Sequence, residues 1–299
     1  MITDISKKLT GLGVAIVTPF CADGSVDYTA LRRLIRFVTE GGVDYLVVMG
    51  TTGETPTLTP EEKREVLRVA KEENGGRLPL VVGIGGNNTA TVIKTIAECD
   101  TEGVDAILSV VPYYNRPAQR GIYEHYAAIA RSTEIPIILY NVPSRTGVNM
   151  LPETTLALAR DFHNIVAVKE ASGNIEQIRQ LINERPKGFN IISGDDSLAI
   201  SVIEAGGEGV ISVAANGFPE RFCRCIHLAM EGNFAEAEAM MEEFAEPLRL
   251  IFYEGNPTSI KVMTELKGLT RREVRLPLVE GSDELVEATK SAIQRYQLR

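Results

Sequence analysis

The chain has 299 residues, 44% of them hydrophobic and 24% charged, the balance of an ordinary globular protein. Thirty-one basic against 40 acidic residues give a formal charge of −9, so no basic surplus is available to displace counterions from nucleic-acid phosphates. No apolar run approaches the roughly 18 residues of a membrane-spanning helix, and Met1 to Lys8 lacks the apolar core of a signal peptide.

In chain order, short apolar runs rich in β-branched residues predict strands at 14–18, 45–48, 80–83, 106–110, 135–140, 165–169, 190–193 and 209–213. They are apolar throughout, as parallel strands buried on both faces must be. Helical patterns separate them. The first carries Leu31, Leu34, Ile35 and Val38 at the i, i+3, i+4, i+7 spacing of one buried face. The second opens with Thr59-Pro60-Glu61-Glu62, a capping box with proline at the first helical position. Eight strands, each followed by a helix, predict an α/β protein built as a TIM (β/α)8 barrel over 1–231, its eighth helix at about 219–231. Helical patterns alone follow, near 233–253, 258–266 and 282–297. They predict a three-helix extension over 232–299, packed on the barrel because no low-complexity linker precedes it. An open doubly wound sheet is the other way to hold eight strands, but no G-x-G-x-x-G follows the first one. The glycine cluster Gly83-Ile84-Gly85-Gly86 follows the third strand and reads as a tight turn.

Four cysteines, Cys21, Cys99, Cys223 and Cys225, show no disulfide framework and no metal-type pairing with the three histidines. They read as structural thiols in a reducing cytoplasm.

Barrel active sites lie at the carboxy ends of the strands, so the reactive side chains that stop each apolar run are the candidates. The sixth run, Ile165-Val166-Ala167-Val168, stops on Lys169. A lysine there is costly unless paired or neutral. Pairing with Glu170 is awkward, because neighbouring strand residues face opposite ways. A free lysine is neutral in only about one molecule in a few thousand at pH 7. Burial lowers the pKa and frees the amine to attack a carbonyl. Lys169 is therefore either a structural cation or a Schiff-base nucleophile.

The fifth run stops on Tyr140, one strand from Lys169 and within reach for proton transfer, though many such tyrosines only pack. Arg145 follows in the next loop; its fork suits a carboxylate, and it also reads as a solvated surface charge. The second run leads into Gly50-Thr51-Thr52-Gly53-Glu54, where two hydroxyls and nearby amides form a small donor cluster or an ordinary turn. The fourth leads into Pro112-Tyr113-Tyr114-Asn115-Arg116-Pro117, a stiff aromatic loop suited to a pocket wall or an oligomer contact. All four signals fall on one end of one barrel.

Over essentially its whole length the chain resembles the dihydrodipicolinate synthase family (4-hydroxy-tetrahydrodipicolinate synthases) of the pyruvate-dependent class I aldolase and N-acetylneuraminate lyase superfamily. The motifs that carry the resemblance are Val14-Ala15-Ile16-Val17-Thr18-Pro19, the 50–54 turn, Tyr113-Tyr114-Asn115-Arg116-Pro117, 140–147, Val168-Lys169-Glu170-Ala171 and Gly194-Asp195-Asp196. The resemblance implies condensation of pyruvate with aspartate 4-semialdehyde in diaminopimelate and lysine biosynthesis. Lys169 would form an imine with pyruvate, and the derived enamine would add to the aldehyde. Tyr140 would move protons, linked through Thr51 to Tyr114 of a neighbouring subunit in a homo-oligomer, a dimer of dimers. Thr51 and Thr52 would hold the pyruvate carboxylate near the backbone carbonyl of Ile211, with Gly194 also lining the substrate site. Arg145 would receive the carboxylate of the semialdehyde. No metal or organic cofactor is implied, because the lysine imine is the electron sink.

Two other readings remain. A sugar-acid lyase of the same superfamily would share Lys169, Tyr140 and a turn like 50–54, but its neutral aldehyde partner gives it no use for Arg145. A silent ligand-binding barrel would have lost part of the set. The resemblance also bears on regulation, since many relatives are inhibited by lysine near the tyrosine pair. Tyr113 and Asn87 of that site are retained here. Thr91 stands where an acidic residue helps hold the ammonium group, and Pro60 and Lys63 stand where one subgroup has histidines. Weak or absent inhibition is expected.

Overall fold

The computed structural model describes residues 2–297, and the side chains from residue 5 onward. The chain runs α1 (Ile2–Lys8), β1 (Gly11–Ala15), α2 (Tyr28–Glu40), β2 (Tyr45–Val48), α3 (Pro60–Asn74), β3 (Leu80–Gly83), α4 (Thr89–Glu98), β4 (Ala106–Val110) and α5 (Gln119–Arg131). It continues through β5 (Ile137–Asn141), α6 (Pro143–Thr146), α7 (Pro152–Asp161), β6 (Ile165–Glu170), α8 (Ile175–Glu184), β7 (Asn190–Ser193), α9 (Ala199–Glu204), β8 (Gly209–Ser212) and α10 (Pro219–Met230). Four further helices follow: α11 (Phe234–Glu243), α12 (Ala245–Leu250), α13 (Thr258–Leu266) and α14 (Asp283–Arg295). The eight strands close in sequence order, β8 pairing with β1, and every pairing is parallel. This is the expected TIM barrel.

Alternation along each strand sorts the core into two layers. Tyr45, Val47, Leu108, Ile138, Ala167 and Ile192 fill the inside of the barrel. Leu46, Val82, Ile107, Leu139 and Val168 face outward under the helices. The predicted stripe Leu31, Leu34, Ile35 and Val38 is buried on α2. The capping box of α3 forms in both directions, Glu62 N–H donating to the Thr59 hydroxyl and Thr59 N–H to the Glu62 carboxylate.

Two expectations need correction. The first strand lies at Gly11–Ala15, three residues earlier than the run 14–18. Its glycines look like a turn in sequence, yet Gly13 is a packing requirement: a Cβ there would sit 2.2 Å from the Tyr45 ring inside the barrel. The extension has four helices, because the segment predicted as one helix breaks at Phe244. Pro247 has no N–H for the carbonyl of Glu243, and the buried Phe244 ring packs edge-on against Phe218 and Phe222. The ends of the expected domains, Met1, Leu298 and Arg299, lie outside the described residues.

All four cysteines are free. Burial pushes the thiols of Cys223 and Cys225 up, to about 12 and about 11. Among the described residues no helix is long and apolar enough to cross a membrane, and no group of three or more His, Cys, Asp or Glu side chains could hold a metal ion.

Candidate active site

Lys169 is the penultimate residue of β6, two positions beyond the interior residue Ala167, so the strand period turns its side chain into the barrel. It is 6% exposed and makes no ion pair or hydrogen bond among the described residues. Tyr140 stands opposite it in the register of β5 and β6. The Lys169 ammonium lies 4.6 Å from the centre of the Tyr140 ring, a cation–π contact that offsets part of the cost of burying the charge. Glu170 faces the other way. Its carboxylate accepts from Asn141 Nδ2 at 3.0 Å, Gln177 Nε2 at 3.0 Å and Ser172 N–H at 2.7 Å. Burial raises the Glu170 pKa, and the hydrogen bonds oppose that. An ion pair between Lys169 and Glu170 does not form.

A cavity of about 460 Å³ opens at this end of the barrel, with Thr51, Tyr140 and Arg145 in its wall; Lys169 and Gly194 are not in that wall, and Lys169 reaches it only beside Tyr140. Thr51 begins a single 3₁₀ turn, Thr51–Gly53, directly after β2. Thr52 is buried in the same turn, outside that wall, and its hydroxyl accepts from Asn256 Nδ2 at 3.0 Å. Arg145, on the one-turn helix α6, donates from Nη2 to the backbone carbonyl of Asn256 at 3.1 Å. Gly194 follows β7 and donates its N–H to the Glu170 carbonyl at 2.7 Å. A Cβ on Gly194 would sit 2.6 Å from Ala171 Cβ and 3.2 Å from Lys169 Cε, so the absent side chain makes room for the lysine. Ile211 lies inside the barrel on β8, paired with Gly13, and is not in the cavity wall.

Tyr114 sits apart from its chain's own cavity. It is 85% exposed with a backbone φ of 74°, on the loop after β4. Its neighbour Tyr113 lines the 460 Å³ cavity and also a second one of about 620 Å³. The second cavity lies between α3 and α4 and brings together Pro60, Lys63, Asn87, Thr91 and Tyr113, residues far apart in sequence. Lys63 lines both cavities.

Three features escaped sequence reasoning. The extension reaches back over the site through Asn256 and Pro257, which stand in the cavity wall. The buried Glu54 at the end of the 50–54 turn pairs with the fully buried Lys261 of α13, and Arg275 N–H donates to the same carboxylate at 3.0 Å. Burial lowers the Lys261 pKa to about 8 against the pull of Glu54. Asp196, in the loop after β7, accepts the N–H groups of Val213 and Ala214 at 3.0 and 2.9 Å, and burial raises its pKa to about 6. Glu54 and Asp196 stand in the 50–54 turn and in Gly194-Asp195-Asp196, but neither motif shows their partners; the other signals were compositional, a lysine within a helical apolar run and Gly255-Asn256-Pro257 as a turn.

A closed parallel barrel with a buried, unpaired lysine and a tyrosine in register at its carboxy end defines an α/β-barrel protein with a candidate amine nucleophile. The chain belongs to the dihydrodipicolinate synthetase family, whose model matches residues 8–296. It is 48% identical over 295 residues to a 4-hydroxy-tetrahydrodipicolinate synthase of Phocaeicola vulgatus, covering 99% of each chain. Among solved structures it matches a dihydrodipicolinate synthase from Aquifex aeolicus with a TM-score of 0.94 at 40% identity, covering 97% of this chain and 99% of that one. It also matches a monomeric dihydrodipicolinate synthase variant with a TM-score of 0.96 at 36% identity, covering 99% of each.

Proposed function

We infer that this chain is a lyase that condenses pyruvate with L-aspartate 4-semialdehyde to 4-hydroxy-tetrahydrodipicolinate, in the diaminopimelate route to lysine. The observation that carries the chemistry is the buried Lys169, without an anionic partner and in register with Tyr140. Its amine adds to the keto carbon of pyruvate, and loss of water gives the imine. Loss of a methyl proton gives the enamine, whose carbon bonds to the aldehyde carbon of the second substrate. The substrate's own amino group then attacks the imine carbon, closing the ring and releasing Lys169.

Tyr140 transfers protons during imine formation and cyclisation, with Thr51 and the Tyr114 of a neighbouring subunit completing the relay. Thr51 and Thr52 hold the pyruvate carboxylate, with the carbonyl of Ile211 and the backbone of Gly194 beside it. Arg145 takes the carboxylate of the semialdehyde. The imine is the electron sink, so the reaction uses no metal or organic cofactor. The exposure of Tyr114 supports a homo-oligomer, a dimer of dimers, and the pathway and the reduced cysteines support a cytoplasmic enzyme. An acidic chain needs positive charge placed locally to gather two anions, and Lys169 and Arg145 supply it.

The test pairs trapping with turnover. Borohydride in the presence of pyruvate adds a pyruvate-derived mass to wild type and none to Lys169→Ala. Pyruvate with aspartate semialdehyde turns over, and sialic acid is not cleaved. A normal adduct on the variant removes Lys169 from its role, and efficient sialic acid cleavage moves the chain to the lyase branch.

A further inference from the structure

Asn256 lies between α12 and α13, far in sequence from the barrel loops it touches, and it touches two of them at once. Its side-chain amide donates to the Thr52 hydroxyl at 3.0 Å, while its main-chain carbonyl accepts from Arg145 at 3.1 Å. Among the described residues no hydrogen bond runs directly from the 50–54 turn to the 142–147 loop. Asn256 is thus the polar joint between the two. Five residues on, Lys261 grips the same turn through Glu54, which anchors the segment to the barrel independently of the asparagine side chain.

Neither stability nor helix capping accounts for this asparagine. Its Oδ1 is buried with no hydrogen-bond partner among the described residues, a cost that an apolar residue of similar size would not incur. Helix α13 begins at Thr258 with no side-chain cap, so the Asn256 amide serves no helix end. What remains is its place in the cavity wall, between a hydroxyl and a guanidinium.

We propose that Asn256 is a positioning residue that fixes the spacing between the carboxylate receptor on the 50–54 turn and the one at Arg145, and so sets the fit of two acidic substrates in one cavity. The proposal rests on the function inferred above. One side chain and one carbonyl on the same residue hold the two receptors, so loosening Asn256 disturbs both substrates together, whereas loosening either receptor alone disturbs one.

Steady-state kinetics of the full-length enzyme test this. Asn256→Ala removes the bond to Thr52 and keeps the carbonyl that holds Arg145. It therefore raises the KM of pyruvate about three- to tenfold, the range of one lost neutral hydrogen bond. It raises that of semialdehyde by a smaller factor, more than about twofold, through the loosened segment, and changes kcat less. Thr52→Val raises the pyruvate KM, and adding Asn256→Ala to it raises that KM no further, because the shared bond is already gone. Should Asn256→Ala not fold, Asn256→Asp decides the matter. It keeps the size but sets a negative charge beside both receptors, so both KM values rise and the rise shrinks with added salt. Both KM values within twofold of wild type in a folded variant, or full additivity with Thr52→Val, overturns the proposal. Wild type that traps pyruvate with borohydride while Asn256→Ala changes neither KM leaves the inferred function standing and removes this inference alone. Wild type that traps nothing removes both.

Discussion

Tyr140 and Lys169 face each other across adjacent strands in direct register, with the lysine ammonium 4.6 Å from the tyrosine ring centre. The ring can steady the charged amine while the phenol handles protons, and one substitution separates these tasks. Tyr140→Phe keeps the ring and loses the phenol. Borohydride trapping of pyruvate should still mark Lys169, but the rate of imine formation should fall by about 10² or more, the usual share of a positioned proton-transfer group. Stopped-flow measurement of adduct formation checks this, and an unchanged rate would remove Tyr140 from proton transfer.

Arg145 stands in the cavity wall, its guanidinium anchored, among the described residues, only to a main-chain carbonyl. Arg145→Ala should trap pyruvate normally while losing productive use of the semialdehyde. One charge-assisted contact is worth roughly 1.5–3 kcal/mol, about ten- to a hundredfold or somewhat more in kcat/KM for that substrate. An unaltered semialdehyde response in steady-state assays would revive the reading as a sugar-acid lyase.

Tyr114 points away from its own cavity, which suits a residue that completes a neighbour's site. Tyr114→Phe and Lys169→Ala, each strongly impaired alone, should complement one another when mixed under conditions that exchange subunits. Each mixed dimer then holds one intact site, so an equal mixture should approach about a quarter of wild-type activity. Native mass spectrometry showing mixed dimers without activity, or a fully active monomer, would refute the shared site.

The 620 Å³ cavity gathers Asn87, Thr91 and Tyr113 beside Lys63, Arg64 and Arg68, while the two carboxylates in its wall, Glu98 and Asp100, are paired with Lys94 and Lys71. Thr91 offers a neutral hydroxyl where an ammonium group needs an anion, and Lys63 adds a like charge. Losing a charge-assisted contact lowers affinity about ten- to a hundredfold or somewhat more, so lysine should inhibit weakly or not at all. Half-inhibition by sub-millimolar lysine at saturating pyruvate would show that the remaining groups suffice.

Asp196 gives the fold a distinctive pH dependence. Its folded pKa of about 6 lies above the ordinary 3.8, because burial penalises the charged carboxylate. The folded state therefore binds the proton more tightly than the unfolded one. That contribution to stability is fully present below about pH 3.8 and is lost as the pH rises through about 6. Asp196→Asn cannot titrate, so its stability relative to wild type should climb between pH 4 and 6, by roughly 3 kcal/mol at most, and level off above 7. Denaturant melts of both proteins across that range check it, and a flat difference would mean that Asp196 does not titrate in this window.

Much of the architecture is written in local pattern. Strands buried on both faces leave uninterrupted apolar runs, so all eight barrel strands were legible, six of them within a residue at both ends. A charged side chain that stops such a run is conspicuous, which is why Lys169 is legible in the sequence. Tyr140 followed from strand order alone, since β5 and β6 had to be neighbours.

Contacts made by closing the barrel and folding the extension over it were not legible. Thr52 and Asn256 are 204 residues apart, and Glu54 and Lys261 are 207 apart. Helical and strand periods report which face of one element is apolar; they carry no information about which loops meet across a closed barrel. The first strand was misplaced for the same reason, because Gly13 is required by the ring of Tyr45, its partner on the adjacent strand β2, rather than by its neighbours in sequence. Local chemistry thus singled out Lys169 as the candidate nucleophile, and long-range packing chose what surrounds it.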